Sequence, residues 1–496
     1  MPQLQSKLQL GTAFREEYLA FYGFLPLELE GGQLRVAFAG TPNADALADL
    51  RETFAADLDL IEVPPGELQA AIQLAFGQNE SIIELVRGLD AAGEAGETRG
   101  DRGVTDIRSL ANEPPVVRFV NTLIREAHGA RASDIHLEAT GNGLRARLRI
   151  DGVLADLPSP PRPLEAGIVS RLKLLAELDI ADRRAAQDGR IRVRLDDREL
   201  DLRVATVPTV HGESVALRLL DRGGRPIGLE ELGMTPDMLA EFRRLAGRPH
   251  GVILATGPTG SGKTTSLYAA LALRSVASEK IITVEDPVEY HLPGVCQVPV
   301  RSKAGMTFAA ALRGLLRQDP DVLMIGEMRD AETAAIAIQA AMTGHLVFST
   351  LHTNDAVTAV ARLVDLGVEP YLIGAAVDGI LAQRLVRRNC PNCSESYSRD
   401  PSAVALVARQ PVGPSTGIRG AGCSSCRNTG YFGRVGIYEL FVISDEVKDL
   451  IARGADARQL RAAAERQGTK SLVEDGWTKI QAGMTTVEEV LRVVGI

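Results

Sequence analysis

Along the chain the spacing of apolar residues changes period several times, and each change marks a boundary. Gln33–Ala39 (QLRVAFA) alternates like a half-buried strand, and Asn43–Phe54 and Gly66–Phe76 carry apolar residues at helical spacing. These segments predict a small α+β domain over residues 1–88. Residues 89–112 are Gly-rich, charged and almost free of large apolar side chains, which predicts a flexible linker. From Glu113 a helical pattern runs to His128. Alternating segments follow at Asp134–Glu138, Leu144–Ile150, Arg190–Leu195, Glu199–Val207 and Val215–Leu219, predicting an arginine-rich α+β domain over 113–222. Arg222–Pro226 reads as a short hinge.

The pattern then changes to helices alternating with uninterrupted apolar runs: GVILATG, KIITVED, DVLMIGE and HLVFSTL. Strands without a polar face are buried on both sides, so residues 227–388 are expected to form an α/β domain around a parallel sheet. Paired cysteines occupy 389–437, and a helical region is expected over 438–496.

Composition fits an ordinary soluble protein, with 24% charged residues and only 4% aromatics. The scarcity of aromatics counts against base stacking on single-stranded nucleic acid. The net charge of −9 is uneven: residues 1–111 hold 8 Lys+Arg against 18 Asp+Glu, leaving 47 against 46 for the rest. No domain is basic, so no nucleic-acid partner is expected. Lys7, Arg15, Glu16 and Glu17 interrupt any apolar run near the start, which argues against a signal peptide. Thr333–Leu351 is long and uncharged but contains Gln339, Gly344 and His345, so it reads as a buried helix and strand. A cytosolic protein with no membrane span is expected.

Gly257, Pro258, Thr259, Gly260, Ser261, Gly262, Lys263 and Thr264 fit G-x-x-x-x-G-K-[ST] at every fixed position, with Thr265 following. A strand pattern leads in and a helical pattern leads out, as a phosphate-binding loop requires. Glycines let consecutive N–H groups point at one phosphate, and the helix start adds positive potential. Lys263 is expected to reach the β- and γ-phosphates of ATP, and the Thr264 hydroxyl to bind Mg²⁺. The next two apolar runs end in acids, at Glu285-Asp286 and at Gly326-Glu327. In parallel sheets the strands' carboxyl ends form the ligand crevice. We therefore expect Glu285 to act as the base towards water and Glu327 to organise Mg²⁺, although either order satisfies the sequence. Asp286 before Pro287 reads equally well as the start of a turn. His345 and His352 bracket one strand; His352, at the carboxyl end, is the better candidate for a γ-phosphate contact.

Cys390-Pro-Asn-Cys393 and Cys423-Ser-Ser-Cys426 form two C-x₂-C pairs. Four thiolates close a tetrahedral shell, so a structural zinc is expected; disulfides are the alternative, disfavoured in a reducing compartment. Cys296 is left over and is expected to be a buried apolar residue.

The runs GPTGSGKTTSLY, TVEDPVE, LRQDPDVLMIGEMRD and TGHLVFSTLHTNDA, in this order, resemble the Walker A, Asp box, Walker B and His box of the secretion ATPase superfamily. The resemblance covers roughly residues 112–496 and is nearest to the type II secretion ATPases, with the type IV pilus extension ATPases as the close rival. It implies a RecA-like domain and a homohexameric ring. In that ring Arg203 and Arg218, within QDGRIRVRLDDRELDLRVATVPTVHGESVALRLL, approach the nucleotide's phosphates. It also implies four zinc-binding cysteines in the position found here. For residues 1–88 it implies docking to the cytoplasmic domain of an inner-membrane L-type protein, which places the enzyme peripherally at the inner membrane's cytoplasmic face, beside a platform protein. A nucleic-acid translocase or conjugation motor is the remaining alternative.

Overall fold

In a computed structural model the chain divides into two compact units, 1–220 and 221–496. The structure describes residues 16–68, 113–195, 198–221, 227–274, 276–301, 304–408 and 416–495, with single positions between these stretches.

The first unit begins with a three-stranded sheet of β1 (Phe24–Glu30), β2 (Gln33–Phe38) and β3 (Asp57–Glu62) in the order β1-β2-β3. β1 and β2 pair antiparallel, and β2 and β3 pair parallel through the helix Ala44–Phe54. Leu19, Leu25, Leu34, Val36 and Leu50 form its core, while β3 is exposed along most of its length. Of the helix expected at Gly66–Phe76, Leu68, Ala71 and Ile72 are buried in this core, and 73–76 lie outside the described residues.

The remainder of this unit is a six-stranded sheet ordered β6-β5-β4-β9-β8-β7. Its strands are β4 (Ala132–Thr140), β5 (Gly143–Ile150), β6 (Val153–Asp156), β7 (Gln187–Leu195), β8 (Arg198–Thr209) and β9 (Gly212–Asp221). The helix Pro114–Gly129 opens with proline, whose missing N–H costs nothing in a first turn. It buries Val116, Phe119, Val120 and Leu123 against the sheet's Ile135, Leu137 and Leu217. The same core takes in Ile82, Leu85 and Val86, and the Ile82 N–H donates to Glu126 Oε2 at 3.1 Å. The expected domain boundary at 88/89 is therefore corrected: the apolar stripe Ile82-Leu85-Val86 covers the core of the following domain. Apart from Leu89 and Ala111, the expected linker lies outside the described residues, as does the hinge 222–226.

The second unit is built on a seven-stranded sheet ordered β12-β11-β13-β14-β10-β15-β18. Its strands are β10 (Gly251–Thr256), β11 (Ile281–Glu285), β12 (Cys296–Pro299), β13 (Val322–Ile325), β14 (Leu346–Leu351), β15 (Val377–Asn389) and β18 (Tyr431–Val442). All neighbours pair parallel except β15 and β18. Alternate residues of the central strands enter two different cores, which explains their continuous apolar runs. Val252, Leu254, Leu323, Ile325 and Val347 face one core; Ile253, Ala255, Val322, Met324, Leu346 and Phe348 face the other.

β15 and β18 run beyond the sheet as a long hairpin. Its extension packs Val386, Val435 and Ile437 under Leu472, Ile480, Val487 and Val490 of the helical tail. Between the two strands lie the cysteine pairs and a two-stranded sheet, β16 (Ser394–Ser398) with β17 (Thr416–Gly420). The expected boundaries at 388/389 and 437/438 thus fall inside β15 and β18. A local pattern cannot show pairing between strands some 50 residues apart in sequence. No described helix is long and apolar enough to cross a membrane.

Candidate nucleotide site and cysteine cluster

β10 delivers the chain from the sheet into the loop Gly257–Gly262, and the helix Lys263–Leu271 leaves it. Gly257, Gly260 and Gly262 have φ of 145°, 78° and 87°, values that L side chains seldom adopt. Two of them are also closely approached. A Cβ on Gly257 would lie 2.5 Å from the Gln383 carbonyl oxygen, and one on Gly262 would lie 2.9 Å from Gln383 Nε2. Gln383 is 1% exposed and donates from Nε2 to the Ser261 carbonyl at 2.6 Å, so β15 braces the loop from behind.

Lys263 is 9% exposed and donates to the carbonyl oxygens of Gly257 at 2.7 Å and Pro258 at 3.0 Å. Burial pushes its pKa down to about 8; Glu327 opposes this and the Arg384 charge adds to it. A polyphosphate beside Nζ favours the charged form and raises that pKa again. Nucleotide binding at pH 8 is therefore expected to take up about half a proton per site. The uptake is read from the dependence of binding heat on buffer ionisation enthalpy. It should shrink towards pH 7, and a zero or negative uptake at pH 8 would contradict this placement of Lys263.

The two glutamates sit in different surroundings. Glu285, at the end of β11, is 2% exposed and accepts hydrogen bonds from Tyr268 Oη, Thr283 Oγ1 and, at 3.2 Å, Gln297 Nε2. Glu327 follows β13 by two residues. Its carboxylate lies 2.6 Å from Arg329 Nε and 3.4 Å from His352 Nε2, and its charge acts on Lys263. Asp286 follows Glu285 directly, and Thr264 and Thr265 are half-buried in the first turn of the helix after the loop. His352 is exposed at the carboxyl end of β14, whereas His345 turns back to the Ala340 carbonyl at 2.8 Å and closes a helix end.

Glu327 and His352 are thus in contact and the Glu327 charge reaches Lys263, while Glu285 is buried among its own partners. Arg203 and Arg218 belong to the first unit, on β8 and β9. Arg218 Nε donates to Asp134 Oδ1 at 3.0 Å. Sequence reasoning missed Tyr268, Gln297, Gln383 and Arg384. The signal available for the last pair was the polar Gln-Arg break in the otherwise apolar run ILAQRLV of β15.

The four paired cysteines converge, their sulfurs all within 4.8 Å of one another. Cys390–Cys423, Cys393–Cys426 and Cys423–Cys426 are separated by 3.9, 3.8 and 3.7 Å. Zn–S bonds of about 2.3 Å at tetrahedral angles require S···S of about 3.8 Å. A disulfide requires about 2.05 Å. Backbone N–H groups of Gly422 and Gly430 donate to Cys393 and Cys426 sulfur, each at 3.3 Å, and favour thiolates. The donor set and spacing fit zinc. Cys296 is exposed on the edge strand β12 and not buried as expected, because among the described residues β12 pairs only with β11 and Cys296 joins no core.

The family model of the type II/IV secretion system protein matches residues 109–492. The type II secretion system protein HxcR of Pseudomonas aeruginosa is 47% identical over 90% of this chain and 92% of its own. The type IV pilus assembly ATPase PilB of Myxococcus xanthus is 41% identical over 94% of this chain and 83% of its own. Among solved structures, the pilus retraction motor PilT with bound ADP superposes with a TM-score of 0.50 at 27% identity, covering 75% of this chain and 95% of its own.

Proposed function

This chain belongs to the type II/IV secretion system protein family and is a secretion ATPase; from that premise we propose that it powers type II protein secretion as a homohexamer, driving pseudopilus assembly from the cytoplasmic face of the inner membrane. The observation that carries the catalytic part is the meeting of Lys263, Glu327 and His352 at the carboxyl ends of β13 and β14, beside the glycine loop. The type II assignment is supported by HxcR, which matches over nearly its whole length; a larger share of PilB has no counterpart here.

In this reading the N–H groups of Gly257–Thr265 and the Lys263 ammonium hold the phosphates of ATP. Thr264 and Glu327 would hold Mg²⁺, which neutralises charge on the phosphates when bound. Arg203 and Arg218 of the arginine-rich domain reach the same phosphates in the closed ring, so ATP favours closure and its hydrolysis releases it. For Arg218 this means exchanging Asp134 for phosphate. Cys390, Cys393, Cys423 and Cys426 would hold a structural zinc. The acidic N-terminal domain docks on the cytoplasmic part of an L-type inner-membrane protein, and the ring acts on the platform protein.

Glu285 takes the proton of the attacking water. One observation favours the exchanged order: the Glu327 charge acts on Lys263, although each glutamate has both oxygens engaged, Glu285 by Tyr268 and Gln297 and Glu327 by Arg329 and His352. Under the first order Glu285→Gln abolishes turnover with ATP binding retained, while Glu327→Gln weakens Mg²⁺-dependent binding. Single-turnover kinetics with parallel binding measurements separate the two. The result with the residues interchanged would move the base to Glu327.

The function itself is tested by deleting the gene in its host and scoring extracellular proteins and surface pili in the same cultures. Loss of extracellular proteins with pili retained is expected. Loss of pili alone would move the function to pilus extension, and stimulation of hydrolysis by DNA would favour a nucleic-acid motor.

A further inference from the structure

β15 runs parallel to β10 with Ala382 level with Thr256, the last residue before the phosphate loop. Arg384 therefore leaves the sheet at the end where the loop, Glu327 and His352 gather. Its guanidinium donates from Nη2 to Asn354 Oδ1 at 3.0 Å, and Asn354 lies two residues beyond His352. Its Nε is buried without a hydrogen-bond partner.

Arg384 is thus a half-buried cation paired with a neutral amide. Burying an unpaired donor and a charge costs free energy unless an anion completes the set. Burial indeed lowers the Arg384 pKa. The Arg384 charge also acts on the Lys263 ammonium and lowers its pKa further. Two like charges, one at the start of the helix after the loop and one on β15, thus act on each other, and the Glu327 charge opposes them at Lys263. A lone strut for the loop would need no charge, and Gln383 already supplies that strut through Ser261.

We infer that Arg384 is a phosphate-contacting residue that distinguishes a nucleoside triphosphate from a diphosphate, with Asn354 positioning its guanidinium. The inference rests on the nucleotide reading of the loop. Arg384 lies beside the loop, since its neighbours Gln383 and Leu385 both approach Gly262, and it stands just past the carboxyl end of β10, where the phosphates are expected. Its planar fork offers charge-assisted hydrogen bonds to phosphate oxygens, and Asn354 Oδ1 fixes the orientation of that fork through Nη2. On loss of the terminal phosphate the guanidinium returns to Asn354 alone, so the segment after His352 feels the change.

The test is calorimetric binding of ADP and of a non-hydrolysable ATP analogue, both with Mg²⁺, to the full chain. Wild type, Arg384→Gln, Arg384→Lys, Asn354→Ala and Lys263→Ala are compared. Arg384→Gln should lower analogue affinity about tenfold and ADP affinity less than about threefold. Arg384→Lys should recover part of the loss, because the charge returns without the fork. Equal losses for both nucleotides, or no loss, would overturn the inference. Should Arg384→Gln fail to fold, Asn354→Ala decides: analogue affinity must fall with ADP affinity unchanged. Wild type binding neither nucleotide would instead remove the nucleotide reading itself, which Lys263→Ala checks independently.

Discussion

Lys263→Ala should reduce Mg²⁺-dependent ATP hydrolysis by at least about a hundredfold, because it deletes the positive charge against which phosphate charge develops. The loop around it should survive. Its shape is set mainly by Gly257, Gly260 and Gly262 and by Gln383 bracing Ser261, which remain when the two ammonium hydrogen bonds to the Gly257 and Pro258 carbonyls are lost. The same substitution should not destabilise the fold at neutral pH. The folded-state pKa is depressed to about 8 against an ordinary 10.5, so the unfolded chain binds the proton more tightly. The penalty for holding the charged form is fully present below pH 8 and is relieved as pH rises from 8 towards 10.5. Removing the amine should therefore raise the melting temperature at pH 7, with the gain fading above pH 10. Thermal melting across that range, beside steady-state hydrolysis, checks both halves. Lost activity with a lowered melting temperature at pH 7 would mean that Lys263 acts as a structural residue.

The second large effect is expected at the cysteine cluster. Sulfur separations of 3.7 to 3.9 Å leave room for one tetrahedral ion, and each sulfur lost opens the shell. Structural zinc sites contribute on the order of 10 kcal/mol to the folding of the segment that holds them. The cluster ties Cys390 and Cys393, just after β15, to Cys423 and Cys426, just before β18. The Cys390 N–H donates to the Gly430 carbonyl at 2.8 Å, and the Asn389 N–H to the Met484 carbonyl at 2.8 Å. Cys390→Ser or Cys426→Ser should abolish stoichiometric zinc and raise hydrogen exchange through 390–430. Amides of β10 and the helix after the loop should stay protected, since their core is separate. Full protection without metal, or a disulfide found by mass spectrometry, would contradict the zinc assignment.

What was legible in the sequence was what is contiguous. The phosphate loop reads directly, because eight consecutive residues and their flanking strand and helix carry all its requirements. The parallel sheet reads from apolar runs that feed two cores at once. The pairing of β15 with β18 was not legible, because two segments separated by the whole cysteine region meet only in space. Nor was the place of Ile82, Leu85 and Val86, since an amphipathic stripe shows that a core exists without showing which one. Cys296 misled because a lone cysteine carries no partner pattern, and an edge strand gave it solvent instead of a core. Glu285 looked like its neighbour Glu327 in sequence. Only the structure surrounds one with Tyr268, Thr283 and Gln297 and sets the other between Arg329 and His352.

The central claim is that hydrolysis at Gly257–Thr264 powers protein export. It is tested most directly by replacing the chromosomal gene with the Lys263→Ala form and measuring extracellular protein at matched levels of the chain. Export should fall to the level of the gene deletion while the variant remains present and folded. Export continuing at the wild-type rate would contradict the claim.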